Sequence, residues 1–296
     1  MHVNANGLSI HVQVEGEGEP LLMIMGIGAQ LLHWPQGLVD LFVANGFQCI
    51  RFDNRDMGLS ERLTGRVDVA NVLTRRMLGL NIDAPYTLAD MADDSVGVLA
   101  ALNIDRAHIF GASMGGMIAQ RIAINHPQRV KSLTSLMSTP GRRRDSLTSV
   151  KAARALLKNP NITDAKSHAD AVIAFLDAVG TPGVKRDVPE LRRVCAEIYR
   201  RGLSPDGFVR QLAAIAADGD RTRELRLVQA PTLVLHGSRD PLISPAGGQA
   251  TADAIPGATY QPLDGMGHDL PPSYWPTIAN AVTHHANPLA DGRLRA

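Results

Sequence analysis

Strand and helix patterns alternate along this chain except between residues 140 and 228, where only helix patterns occur. Before that span, "HVNANGLSIHVQVEG" reads as two short strands joined at Asn6-Gly7, a hairpin signal. "LLMIMG" is an unbroken apolar run of the kind buried on both faces of a sheet. A helical segment near Trp34 to Asn45 follows, then "FQCIRFDNRDMGLSE", a strand that ends in a polar turn. The helix in "YTLADMADDSVGVLAALNID" has Thr87 as its N-cap, with Asp90, Asp93 and Asp94 toward its positive end. "AHIFGAS" is the next strand, Met114 to Asn125 a helix stopped at Pro127, and "VKSLTSLMST" another strand. Beyond the helical span, "PTLVLHG" and "ATYQPLDG" restore strands, with helices at Ala246 to Ala254 and Tyr274 to His285. Such an order leaves one economical architecture, an α/β core with a mainly parallel sheet and a helical insertion. The expected division is a core of 1–139 and 229–296 and a helical cap of 140–228. The final "ANPLADGRLRA" reads as a solvated tail.

Within the core, "HIFGASMGGMIAQ" turns from strand to helix in five residues, Gly111-Ala112-Ser113-Met114-Gly115. This G-x-S-x-G spacing describes a nucleophile elbow, a strained turn from which a serine Oγ projects. Strain of that kind costs about 1–3 kcal/mol and must be held by its surroundings. Gly111, Gly115 and Gly116 remove the side chains that would collide as strand and helix close on each other. The corner also opens a helix, so the Met114 N–H can meet negative charge developing beside Ser113. The plainer reading is a glycine-rich turn that packs helix on strand or binds a phosphate; the spacing fits neither G-x-G-x-x-G nor G-x-x-x-x-G-K-[ST], which weighs against the phosphate.

A serine nucleophile needs a base, and the base needs an orienting group. His268, in the glycine-rich "DGMGHDLP" after the last strand, is the candidate base. The other histidines have plainer places: His11 and His108 in strands, His126 at a helix end, His284 and His285 in the last helix. His236 closes "PTLVLHG" and reads as structural support near Asp240. Asp240, in "LHGSRDPLIS", lies just past the carboxyl end of a buried strand, on the rim where open α/β sheets place their sites. The plainer reading of "SRDP" is an Asp-initiated turn. Asp264 and Asp269 share the loop of His268 and are badly placed to orient it. The segment "MIMGIGAQLLHWP" follows the first buried strand; Gly26 and Gly28 allow close backbone approach, and Ile27 is the expected second N–H donor to an oxyanion.

With "GASMGG", "DNRDMGLSE", "HGSRDP" and "GMGH" in this order, nearly the whole chain resembles the α/β-hydrolase superfamily. "MIMGIGAQLLHWP" followed by "RFDNRDMGLSE" resembles the branch that contains aclacinomycin methylesterase and bacterial carboxylesterases. The resemblance implies a mostly parallel eight-stranded sheet flanked by helices, with the nucleophile, acid and base in the chain order found here. Family members that carry the acid after the preceding strand have a carboxylate where this chain reads Ser138-Thr139-Pro140. Two positions depart from the family pattern: Met25-Gly26 stands where His-Gly is usual, and Asp56 stands where Gly is usual. The implied activity is hydrolysis of a carboxylic ester of a small or medium apolar substrate through an acyl-enzyme. Carbon–carbon bond hydrolysis and cofactor-free perhydrolysis use similar triads and stay open, as does a small-ligand receptor on the same scaffold. Apolar cap positions (Val150, Leu156, Leu157, Ile173, Phe175, Leu176, Phe208, Leu212) divide between cap packing and pocket wall.

Composition narrows the partners. With 30 basic and 29 acidic residues, the chain has no charge excess that would favour nucleic acid or an anionic membrane. Two Trp, four Tyr and six Phe offer no base-stacking platform. A small-molecule ester is the expected partner, a homodimer stays open, and no cofactor or metal is expected, since no metal-ligand spacing occurs. No signal-peptide pattern opens the sequence, no apolar run is long enough to span a bilayer, and the expected location is cytoplasmic. Cys49 and Cys195 are read as inert thiols in a reducing compartment. Arg142 to Arg144 read as a solvated basic run.

Overall fold

The computed structural model describes residues 1–142, 148–158 and 160–287. Its centre is one eight-stranded sheet built from β1 (His2–Ala5), β2 (Leu8–Glu15), β3 (Glu19–Ile24), β4 (Phe47–Phe52), β5 (Ala107–Ala112), β6 (Val130–Leu136), β7 (Thr232–Gly237) and β8 (Thr259–Leu263). The spatial order is β1-β2-β4-β3-β5-β6-β7-β8. Every pairing is parallel except those of β1 with β2 and β2 with β4. The first hairpin closes at Asn6 (φ 52°) and Gly7 (φ 78°), the two positive φ values of a type I′ turn.

Helices cover both faces. On one side α1 (Gln36–Ala44) and, from the chain's end, the helix Trp275–Ala286 bury Leu38, Val39, Phe42, Ile278 and Val282 against Leu21, Met23, Phe47 and Phe110. The opposite face holds α3 (Leu88–Ala101) and α4 (Met114–Asn125), with Met91, Val98, Ile118 and Ile122 on Leu22, Ile24, Ile50 and Ile109. Successive residues of β3 therefore feed opposite cores, which is why its sequence is an unbroken apolar run. Each of these side chains contributes about 1.5–3 kcal/mol by leaving water.

Between α1 and α3 lies α2 (Val69–Leu78), a helix absent from the sequence reading. Only Val72 is buried on it, so it lacks the apolar stripe that marks a helix. Thr87 caps α3 in a capping box with Asp90, as expected. Asp93 and Asp94 have another role than favouring the helix dipole: Asp94 is buried and grips Arg55 at 2.6 and 2.7 Å, while Asp93 meets His126 at 2.6 Å.

The span between β6 and β7 holds α5 (Val150–Leu156), α6 (Ala165–Val179), α7 (Val188–Arg201), α8 (Pro205–Asp218) and the short α9 (Thr222–Leu225), and among its described residues there is no strand. After β7 come α10 (Pro245–Ala254) and α11, the Trp275–Ala286 helix already met. Residues 143 and 144 of the basic run and 288–296 of the tail lie outside the described residues. No helix among the described residues is long and apolar enough to cross a membrane.

Candidate active site

The corner at the end of β5 is held from every side. Ser113 adopts φ 57° and ψ −119°, a conformation L-residues rarely tolerate. Its N–H donates to the Leu136 carbonyl at 2.9 Å, and its carbonyl accepts from Gly116 N, Met117 N and the Ser138 hydroxyl at 2.9, 3.3 and 2.8 Å. A Cβ at Gly111 would run into the Gly115 carbonyl, one at Gly115 into the Ile24 carbonyl, and one at Gly116 would lie 2.6 Å from Ser138 Cβ. The glycines therefore let strand and helix close while Ser113 stands clear.

His268, on the loop after β8, reaches Ser113 Oγ with Nε2 at 3.1 Å and Asp240 Oδ2 with Nδ1 at 2.7 Å. Three residues far apart in sequence thus meet at the carboxyl rim of β5, β7 and β8. Asp240 is fixed as well: its Oδ1 accepts from Leu242 N at 2.8 Å and Ile243 N at 2.9 Å. Burial would raise its carboxyl, but attraction to His268 and hydrogen bonds from His236 and His268 outweigh it and hold the group well below the usual carboxylate range. It is an acceptor at any working pH.

His236 stands behind the acid, with Nε2 2.9 Å from the Ile243 carbonyl and 3.3 Å from Asp240 Oδ2. Its Nδ1 is buried without a hydrogen-bond partner among the described residues. That pattern assigns the ring proton to Nε2, where it supports Asp240. Asp264 and Asp269 bond elsewhere, to the hydroxyl of Ser238 and to Thr181.

The loop Gly26–Gly28 runs beside the serine. A Cβ at Gly26 would lie 3.2 Å from Ser113 Cβ and 3.6 Å from its Oγ, so Ile27 follows directly on the closest approach. Met114 N–H opens α4 and belongs to the first-turn donors that have no intrahelical partner. Asn54 Nδ2 holds the Met25 carbonyl at 3.0 Å. Gly28 adopts φ +70°, and Phe208 of α8 occupies the space its Cβ would need.

Several residues of this neighbourhood were not legible in the sequence. Asp53, fully buried, accepts from Leu31 N at 2.7 Å and Leu59 N at 3.0 Å and pairs with Arg201 of α7. Asp56 (φ 72°) takes Arg210 of α8 at 2.7 and 2.9 Å and the Tyr86 hydroxyl at 2.8 Å. The run of charge in "FDNRD" directly after an apolar strand was the available signal, since buried charge requires partners. Of the apolar positions between β6 and β7, Val150 and Leu157 are exposed, whereas Leu156 and Phe175 pack with Ala152, Val179 and Leu242. Both cysteines are buried, which pushes the thiols up to about 12 for Cys49 and about 11 for Cys195. His168 does approach Cys195, but at its carbonyl, 3.0 Å from Nδ1.

A family model for the alpha/beta hydrolase fold matches residues 19–164. The chain is 30% identical to the 2-hydroxymuconate semialdehyde hydrolase of Pseudomonas sp. (strain CF600), over 94% of this chain and 88% of that one. It is 26% identical to the rhodomycin D methylesterase DauP of Streptomyces sp. (strain C5), over 92% and 93% of the two chains. The solved structure of the esterase EaEST from Exiguobacterium antarcticum superposes with a TM-score of 0.75 at 20% identity, covering 97% of this chain and 99% of that chain.

Proposed function

The chain belongs to the α/β-hydrolase family, and on that premise we propose that it is a serine hydrolase cleaving carboxylic esters of small or medium apolar substrates. Ser113 Oγ attacks the ester carbonyl while His268 Nε2 takes its proton; the tetrahedral oxyanion accepts from the Met114 and Ile27 N–H groups. His268 then returns the proton to the departing alkoxide, leaving an acyl-enzyme that a water molecule, activated by the same imidazole, hydrolyses to the acid and free Ser113. Asp240 keeps the imidazole in the tautomer that presents a free Nε2 to the serine and stabilises the imidazolium formed in each step. The observation that carries this reading is the unbroken line from Ser113 Oγ through His268 to Asp240, at 3.1 and 2.7 Å. We read residues 140–228 as a cap that selects the substrate. An ester rather than another acyl compound is favoured by the likeness to a methylesterase along more than nine-tenths of both chains.

The 30% identity to a 2-hydroxymuconate semialdehyde hydrolase supports a second reading, in which the same three residues serve cleavage of a carbon–carbon bond. A panel of p-nitrophenyl esters run beside a vinylogous diketone separates the two. Ester turnover lost in Ser113→Ala, with the fold unchanged by circular dichroism and fluorophosphonate labelling abolished, is the expected result; an active Ser113→Ala protein rejects the mechanism.

A further inference from the structure

The span between β6 and β7 bonds directly to both loops on which this chemistry depends. Gln211 of α8 is fully buried; its Oε1 accepts from the Gly28 N–H at 2.9 Å and its Nε2 donates to the Arg55 carbonyl at 3.0 Å. One carboxamide thus ties the Gly26–Gly28 loop to the turn after β4. At the other side of the site, the chain leaving α6 holds the loop of His268. The His268 N–H donates to the Val179 carbonyl at 2.8 Å, and the Gly267 N–H donates to Thr181 Oγ1 at 3.0 Å. The Thr181 hydroxyl and N–H in turn donate to Asp269 Oδ1 at 2.5 and 2.9 Å.

We propose that Gln211 and Thr181 are positioning residues, through which the helical insertion sets the oxyanion donors and the general base in register with Ser113. The inference rests on the reading of His268 as base and of the Gly26–Gly28 loop as oxyanion donor. Gly26 and Gly28, and Gly265 and Gly267, flank the two functional positions with backbone that no side chain of their own restrains, so bonds from neighbouring elements help to set it. An oxyanion donor works only within about 2.7–3.1 Å of the developing charge. A misplacement of about 1 Å costs on the order of 100-fold in rate. Both anchors end on backbone N–H groups of these loops, so they govern where the loops lie. Substrate that packs against α6 or α8 therefore acts on the same elements that aim the catalytic groups.

The test compares Gln211→Leu and Thr181→Val, which remove the bonds at nearly constant volume, with Gln211→Glu and Thr181→Ser, which retain an acceptor for each loop N–H. Steady-state rates on an ester the unaltered protein turns over are normalised to active sites titrated with fluorophosphonate. We expect kcat to fall about 10- to 100-fold in the first pair with KM within about twofold, and the second pair to recover to within a few-fold of the unaltered protein. Hydrogen exchange read by mass spectrometry on peptides spanning Gly28 and Gly267 rises in the first pair only. A lowered melting temperature with unchanged kcat per active site, or unchanged exchange at both glycines, overturns the proposal. Should the unaltered protein turn over no ester, the hydrolase reading fails by itself, and the exchange measurement alone decides whether the anchors hold these loops. If either apolar variant fails to fold, exchange at Gly28 in Gln211→Ala and at Gly267 in Thr181→Ala equal to the unaltered protein's overturns it.

Discussion

At the scale of single residues, Ser113 combines two demands that a substitution can separate. Its positive φ is costly for any side chain but not for glycine. Ser113→Gly is therefore expected to be inactive yet more stable in urea than Ser113→Ala by about 1 kcal/mol, the strain relieved less the extra freedom of unfolded glycine. Equal midpoints would mean the corner is unstrained. For Asp240→Asn, which keeps the shape but can turn an amide N–H toward His268, kcat on a reactive ester should drop about 10⁴-fold. This part of the site was readable because the constraint is local: glycines two residues either side of a serine describe a corner whatever surrounds it. His268 and Asp240 were readable through their place after strands. His236 was recognised as support for Asp240, but its second bond, to the Ile243 carbonyl, belongs to a turn whose shape only the fold specifies.

Among elements, the helices between β6 and β7 are fastened to the turn after β4 by charge. Arg201 on α7 and Arg210 on α8 pair with Asp53 and Asp56, carboxylates that are fully buried in the turn after β4. Removing one partner strands the other, so Arg210→Met should cost about 3–5 kcal/mol in urea unfolding. Asp56→Asn on top of it should recover part of that loss. A loss under about 1 kcal/mol would show that water reaches Asp56 once the guanidinium is gone. Thr87→Ala, removing the cap of α3, should cost only about 1 kcal/mol. These fastenings explain what the sequence withheld. Asp56 and Arg210 are 154 positions apart, and nothing in either neighbourhood names the other. Elements with a two-sided or one-sided apolar pattern, such as β3 and α4, were legible; α2, with one buried residue, was not.

For the molecule as a whole, acid is the expected weakness. Burial holds His33 and His108 unprotonated, down to about 4, while the unfolded chain takes up those protons near 6.5. Between those values the unfolded state binds more protons, so stability must fall as pH drops from about 6.5 to about 4. For His108, buried beside Ser132, the loss approaches about 3 kcal/mol. Asp240 adds to it: its depressed carboxyl contributes stability above the ordinary carboxylate range, lost as pH falls through that range toward its folded value. Asp94 and Asp269, raised by burial, pull the other way. Urea midpoints measured from pH 7.5 to 4.5 should fall steadily, and His108→Gln should flatten the slope; a slope unchanged by that substitution would assign the acid sensitivity elsewhere. The two sequestered sulfurs have a practical corollary. Since Cys49 and Cys195 keep their protons far above neutrality, maleimide or iodoacetamide finds almost no thiolate on the native surface. Met77→Cys, on the exposed side of α2, would accept a dye or spin label with little competing background while both native cysteines stay in place.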